Sequence, residues 1–342
     1  MVQQPGAKAA PTDARLGRIV RLLSDNPMVV VSGTRIAAEI GVSRSEVWRL
    51  MEQLRELGVA IAGHMLTGYR LESIPDLVLP EELRARLAGT IFDRHIHHFF
   101  RIDSTSTAAM EAADERAPEG SVFLAEQQIA GRGRGANTWE SEPSVGLYLS
   151  VVLRPALPPT EVIILALAAG LAVRAAVREV TGRECDLRWP NDAMLGGRKF
   201  CGILTELNAE ITRVRHVVVG IGINVNQTAF PAELEGIATS LRMETGRTWP
   251  RTDLAAALLR ALDREYQHLV TANTEAHESI LRRFEQASSF ARGCHVQAPE
   301  NGGIEGVTEG LDERGFLKVR TAQGVRTVMS GGVRVVEDAG RG

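Results

Sequence analysis

Cysteine is scarce in this 342-residue chain, which holds only Cys185, Cys201 and Cys294. An odd, widely spaced set with no C-x-x-C pair argues against a disulfide framework and a zinc site. Each cysteine reads as a small buried apolar residue. Long apolar runs are also missing. The longest, residues 162–173, is too short to span a bilayer and contains Gly170, so it reads as a buried helix. No strong charge of one sign is present: 39 Lys and Arg against 42 Asp and Glu leave −3, so any nucleic-acid contact must be local. The chain has no G-x-S-x-G, no H-E-x-x-H and no G-x-x-x-x-G-K-[ST] phosphate loop. Residues 1–13 lack the apolar centre of a signal peptide and read as a disordered tail. The expectation is a soluble cytoplasmic protein with no membrane partner.

With 44% hydrophobic and 24% charged residues, the composition is that of a globular protein, and the length predicts two or three domains. Three regions differ in pattern. In residues 14–73, Leu16, Ile19, Val20 and Leu23 fall at helical spacing before Asn26-Pro27. A short helix follows over 33–40. A third begins at Ser43, which with Glu46 forms a capping box, and turns Val47, Leu50, Met51 and Leu54 inward. VAIAGHMLTGYRL then reads as a hairpin. Three helices and a hairpin make a winged helix-turn-helix. Arg44, Ser45, Arg49, Glu52 and Arg55 fall on the exposed side of the third helix, and Arg44, Ser45 and Arg49 are its candidate DNA contacts. Glu46, Glu52 and Glu56 match its three arginines, so a protein contact also stays open.

Residues 74–88 read as a linker, and 89–288 as one α/β or α+β domain. Strands are expected at 97–102, 122–127, 146–153, 186–189, 202–208 and 214–221, with helices at 107–115, 162–181 and 253–269. Residues 289–337 carry turn signals at Asp312–Gly315 and Gln323-Gly324 and read as a small β-barrel of SH3-like size.

Three strings carry chemistry. AEQQIAGRGRGANTWES, residues 125–141, alternates Gly131, Gly133 and Gly135 with Arg132 and Arg134. Glycines let backbone approach a ligand and arginines bring forked positive donors, which suits a phosphate. The same string alone also suits a surface turn. In RWPNDAMLGGRKFCGILTEL, residues 188–207, a two-glycine turn brings Asp192 near Lys199. Such a pair is either solvated or placed to hold Mg²⁺ and a phosphoryl group. VVVGIGINVNQ, residues 217–227, lacks the third glycine of a dinucleotide fingerprint and reads as a buried strand ending beside a ligand, with Asn224 supplying an amide. His95, His97 and His98 lie in a strand with alternating faces, which disfavours a metal site.

These strings, with IDSTS at residues 102–106, occur in the order found in biotin protein ligases of the bifunctional kind, which also repress the biotin operon. The chain resembles that family over nearly its whole length. The resemblance implies a multidomain α+β fold: a winged helix-turn-helix, a biotin/lipoate-ligase-type catalytic domain with a mixed sheet, and an SH3-like C-terminal domain. It implies that biotin and Mg²⁺-ATP give biotinyl-5′-adenylate, which a lysine of the biotin carboxyl carrier protein attacks. By similarity Ser104, Thr105, Ser106 and Gln128 bind biotin, with Arg132, Gly133, Arg134 and Lys199 at the adenylate. Lys199, Arg132, Arg134 and Asp192 are the implied catalytic groups. Arg134, Trp139, Asn191 and Asn224 are the implied nucleotide contacts. A homodimer on operator DNA is also implied.

Two departures from the family pattern stand out. Gly135-Ala136-Asn137 replaces a further R-G-R, so arginine expected there is missing, and Ser106 stands where the S-T-N motif has asparagine. Two alternatives remain: a lipoate–protein ligase-like adenylating enzyme, and a ligand-sensing transcription factor without ligase activity.

Overall fold

The computed structural model describes residues 11–26, 29–298, 302–329 and 331–336. Helices α1 (Pro11–Ser24), α2 (Gly33–Ile40) and α3 (Arg44–Glu56) precede a hairpin of β1 (Ala60–His64) and β2 (Gly68–Ser73). Ser32 caps α2 and Ser43 caps α3, each side chain accepting from the N–H three residues on. Residues 11–13, read above as tail, are helical, because proline in a first turn forfeits no intrahelical bond. Residues 1–10, Pro27 and Glu337 lie outside the described residues. Leu16, Ile19, Val20 and Leu23 pack on Val47, Leu50, Met51 and Leu54 in a core of their own.

After α4 (Pro80–Arg86) come β3 (Ile96–Phe99), α5 (Thr105–Asp114), β4 (Val122–Ala125), β5 (Gly146–Leu153) and α6 (Ile163–Thr181). Next are β6 (Asp186–Arg188), β7 (Asp192–Leu195), β8 (Arg198–Ala209), β9 (Val214–Asn224), α7 (Leu241–Thr245) and α8 (Arg251–Gln286). The seven strands form one sheet in the order β3-β4-β5-β9-β8-β7-β6, with only β3 and β4 parallel. Helix α5 packs Ala109, Ala112 and Ala113 on Phe123, Val152 and Val218. Helices α6 and α8 bury the larger core. By length and composition α6 is apolar enough to cross a membrane, longer than the run read from sequence. Residues 164–173 are all buried, so those apolar faces are used by the core.

Helix α8 continues far beyond residue 269, because Ala276, Ile280 and Phe284 repeat every four residues and are buried. Strands β10 (Arg292–Ala298), β11 (Ile304–Leu311), β12 (Leu317–Thr321), β13 (Gly324–Val328) and β14 (Arg334–Val335) form an antiparallel sheet in the order β13-β12-β11-β10-β14. No ladder closes β13 onto β14 among the described residues. This sheet joins the larger one through Trp189 Nε1, which donates to Gly315 O (2.9 Å), and Arg188 Nη2, which donates to Val333 O (2.6 Å). Cys185 and Cys201 are buried, whereas Cys294 is only half-buried.

One buried ion pair ties the linker to the sheet. Glu126 Oε2 meets Arg251 Nη2 at 2.7 Å, and Glu126 Oε1 accepts from Val78 N (3.0 Å) and pairs with His98 Nε2 (2.9 Å). Arg251 also donates to Gly146 O and to Asp76. Burial pushes the Glu126 carboxyl up, but Arg251 and His98 outweigh it and hold it at about 2. A depressed carboxyl contributes stability above its ordinary value near 4.5 and loses it as pH falls toward 2. Removing one partner strands the other charge, so Arg251→Met is expected to cost about 3–5 kcal/mol in urea unfolding at pH 7. A cost below about 1 kcal/mol would contradict this. Glu126→Gln should flatten the loss of stability between pH 4.5 and 2.

Candidate active site

A cleft of about 990 Å³ lies at β5, β8 and β9, bordered by residues 132–140, the β6–β7 turn, and residues 332–334 from the C-terminal domain. One end is neutral. Gln128 Oε1 accepts from Thr105 N (2.8 Å) and Thr105 Oγ1 (3.1 Å), while Gln128 Nε2 donates to Ser141 Oγ (3.0 Å). Ser150 Oγ lies 2.9 Å from Thr105 Oγ1 and 3.1 Å from Ser106 Oγ. Short hydroxyls and one amide thus form a polar surface without charge. Ser104 is placed differently from its expected role. It is the N-cap of α5, its Oγ accepts from Thr107 N (3.4 Å), and it is not among the cleft-lining residues.

The other end is cationic. Residues 131–139 fold back on themselves, with Gly133 N donating to Asn137 O (2.8 Å) and Trp139 N to Gly131 O (2.9 Å). The turn needs φ = +62° at Gly135, so the glycine that replaces an expected arginine has a conformational use. Arg132 is paired with Glu206 (2.5 Å), Arg134 Nη1 donates to Asn191 Oδ1 (3.2 Å), and Lys199 Nζ meets Asp192 Oδ1 at 2.6 Å. Lys199 Nζ also stands 5.6 Å from the centre of the Trp139 ring. That ring rests on two glycines paired across β8 and β9: a Cβ on Gly202 would lie 2.8 Å from it, and one on Gly222 2.5 Å. Trp139 Nε1 is buried without a hydrogen-bond partner among the described residues, a donor left available to a ligand.

Asn224 also lines the cleft, although its Nδ2 is engaged by Thr239 O (3.1 Å). Asn191 is likewise engaged through Nδ2, to Ile203 O (2.7 Å). Among the described residues no three His, Cys, Asp or Glu converge to hold a metal. Asp192 is directed at Lys199, so the donors here do not form a protein-built Mg²⁺ site.

The candidate DNA contacts lie elsewhere, on α3. Arg44, Ser45 and Arg49 are exposed, with Arg44 Nη2 donating to Met65 O (2.8 Å) and Arg49 closed on Glu46 (2.6 Å). Arg55, expected to face outward, instead turns to the hairpin and donates to Ile61 O and Gly63 O.

Residues 99–224 match the biotin/lipoate A/B protein ligase family, residues 15–70 an HTH domain, and residues 292–334 the biotin protein ligase C terminal domain. The bifunctional ligase/repressor BirA of Bacillus subtilis is 33% identical over 320 residues, which span 93% of this chain and 97% of that one. The chain belongs to the biotin protein ligases. The BirA of Escherichia coli is 28% identical over 84% of this chain and 87% of its own. A solved biotin protein ligase from Aquifex aeolicus, in complex with biotin and ATP, superposes with a TM-score of 0.62 at 29% identity, covering 71% of this chain and 100% of that one.

Sequence reasoning missed several groups at this ligase's cleft. Glu206 and Ser150 do not line it but hold its Arg132, Thr105 and Ser106, from strand positions that pattern alone reads as sheet filler. Arg334 arrives from β14, far along the chain. One available signal concerned lysine: 36 of the 39 basic residues are arginine, and Lys199 is one of three lysines. A lysine kept in such a chain marks a place for a compact point charge, which a planar guanidinium does not replace. Gly222→Ala is expected to displace Trp139 and cut ligase activity about 100-fold, with far-UV circular dichroism unchanged. Wild-type activity in that variant would show that the ring's seat is unimportant.

Proposed function

We propose that this chain attaches biotin to a lysine of the biotin carboxyl carrier protein, using ATP. A biotin carboxylate oxygen attacks the α-phosphorus, pyrophosphate leaves, and biotinyl-5′-adenylate forms. The neutral lysine amine then attacks the acyl carbon; AMP leaves with the former carboxylate oxygen, and the amine gives up a proton. The observation that carries this reading is the cleft's polarity, with uncharged hydroxyls at one end and Arg132, Arg134 and Lys199 at the other.

Each part suits its task. The ureido ring of biotin is neutral and needs short hydrogen-bonding groups, which Thr105, Ser106 and Gln128 present, while Ser104 acts through the helix start it caps. A carboxylate nearing a triphosphate meets like charge, so neutralisation and positioning carry the catalysis. Lys199 leaves Asp192 for the carboxylate and α-phosphate. Arg132 and Arg134, with Gly133 between them, exchange Glu206 and Asn191 for ligand oxygens. Trp139, Asn191 and Asn224 border the nucleotide. Mg²⁺ bound to ATP would screen the phosphate charge, and Asp192 is the carboxylate that would stand beside it.

The helix-turn-helix supports a second role as a biotin-responsive repressor, in which a homodimer places two α3 helices on operator DNA. ATP and the carrier protein place the reaction in the cytoplasm. Purified protein should exchange pyrophosphate into ATP in a biotin-dependent manner. Exchange with lipoate alone would favour the lipoate reading, and none with either a ligand-sensing regulator. Lys199→Ala is expected to cut that exchange about 100- to 1,000-fold with the fold intact. An active variant would refute the charge assignment.

A further inference from the structure

The helix–wing corner of the first domain presents an aromatic side chain that neither the core nor the ligase cleft uses. Trp48 on α3 is 45% exposed, and its indole N–H donates to nothing among the described residues. It lies on one helical stripe with Arg44 and Arg55. Both arginines are fastened to the hairpin, Arg44 to Met65 O at the tip and Arg55 to Ile61 O and Gly63 O nearer the base. The indole therefore stands between two struts that fix helix and wing together. Leu66, at the hairpin tip, is 85% exposed.

The surrounding charge favours an anionic partner. Residues 14–73 hold eight arginines against six carboxylates, in a chain whose net charge is −3. Among the described residues Arg44 has no carboxylate partner, and the N-terminal end of α3 adds its positive dipole beside Ser45. The groups that would read guanine are mostly committed. Arg49 closes both Nε and Nη2 on Glu46, and Arg55 is spent on Glu52 and the wing. The largest uncommitted group on this face is the indole, which has no acceptor and offers an apolar ring.

We infer that Trp48 is a specificity-determining contact to DNA, its ring set against the C5-methyl of a thymine in the major groove. The inference rests on the repressor reading above and adds which base the helix–wing corner selects. It is tested by fluorescence anisotropy with the full chain, biotin and Mg²⁺-ATP at low salt. The probe is a labelled duplex spanning the promoter of the cell's biotin genes, with each thymine replaced in turn by deoxyuridine.

Wild-type protein should lose about fourfold in affinity at one thymine of a half-site, the worth of one buried methyl group. Trp48→Ala should bind the unmodified duplex about tenfold more weakly and no longer distinguish thymine from deoxyuridine there. Trp48→Phe should keep the distinction, and circular dichroism verifies that both variants are folded. Equal discrimination by Trp48→Ala and wild type would overturn the role of Trp48 while leaving repression standing. Loss of self-association with discrimination intact would make this face a protein contact and also overturn it. No binding by wild-type protein would remove the repressor reading and this inference together.

Discussion

Two anions do not approach each other unaided, and the architecture of the cleft follows from that constraint. At about 4 Å, unit charges repel by roughly 1 kcal/mol in water and about 4 kcal/mol in the weaker screening of a partly buried site. Positive charge must therefore be in place before the ligands arrive. Here it is held ready and neutralised: Lys199 by Asp192, Arg132 by Glu206. In the proposed reaction these carboxylates give the cations up to ligand oxygens of the same charge.

Placing such groups close to a ligand requires backbone with little in the way. The cross-strand pair Gly202 and Gly222 provides the space, and Trp139 fills it from above. The segment carrying this loop is anchored on one side to the linker and on the other to the helix-turn-helix domain. Glu126 holds Val78 of the linker, and Ser144 Oγ donates to Leu57 O at the end of α3 (3.1 Å). Ser144 adopts φ = +57°, a conformation that a non-glycine residue keeps only where its surroundings impose it. The segment that follows the ligand loop is thus tied to the C-terminal end of α3.

Much of this was legible in the residues. The 3.6-residue repeat of the first and third helices, the cap at Ser43, and the buried run of β9 all announce themselves locally. Hairpin proximity, a local property, brought Asp192 to Lys199, whereas only the family resemblance joined that pair to Arg132 and Arg134 in one cleft. What stayed hidden depends on tertiary contact. The second half of α8 has a polar surface and buries only one residue per turn, Ala276, Ile280 and Phe284, so composition disguises it. Strand β7 is short and separated from β6 only by the Pro190-Asn191 turn, which reads as a strand end. Ser104 shows the same limit in the site. The string cannot tell a capping hydroxyl from one facing a ligand, because both begin a helix.

The proposed chemistry turns on one bond, between a carboxylate oxygen and the α-phosphorus. Biotin labelled with ¹⁸O in its carboxylate, supplied with ATP, this protein and the unmodified carrier domain, follows that bond through both steps. The mechanism requires one labelled oxygen in the AMP that is released, and none in orthophosphate. Label in orthophosphate, or AMP without label, would mean activation through another phosphorus, and the roles given to Lys199 and the arginine loop would fall with it.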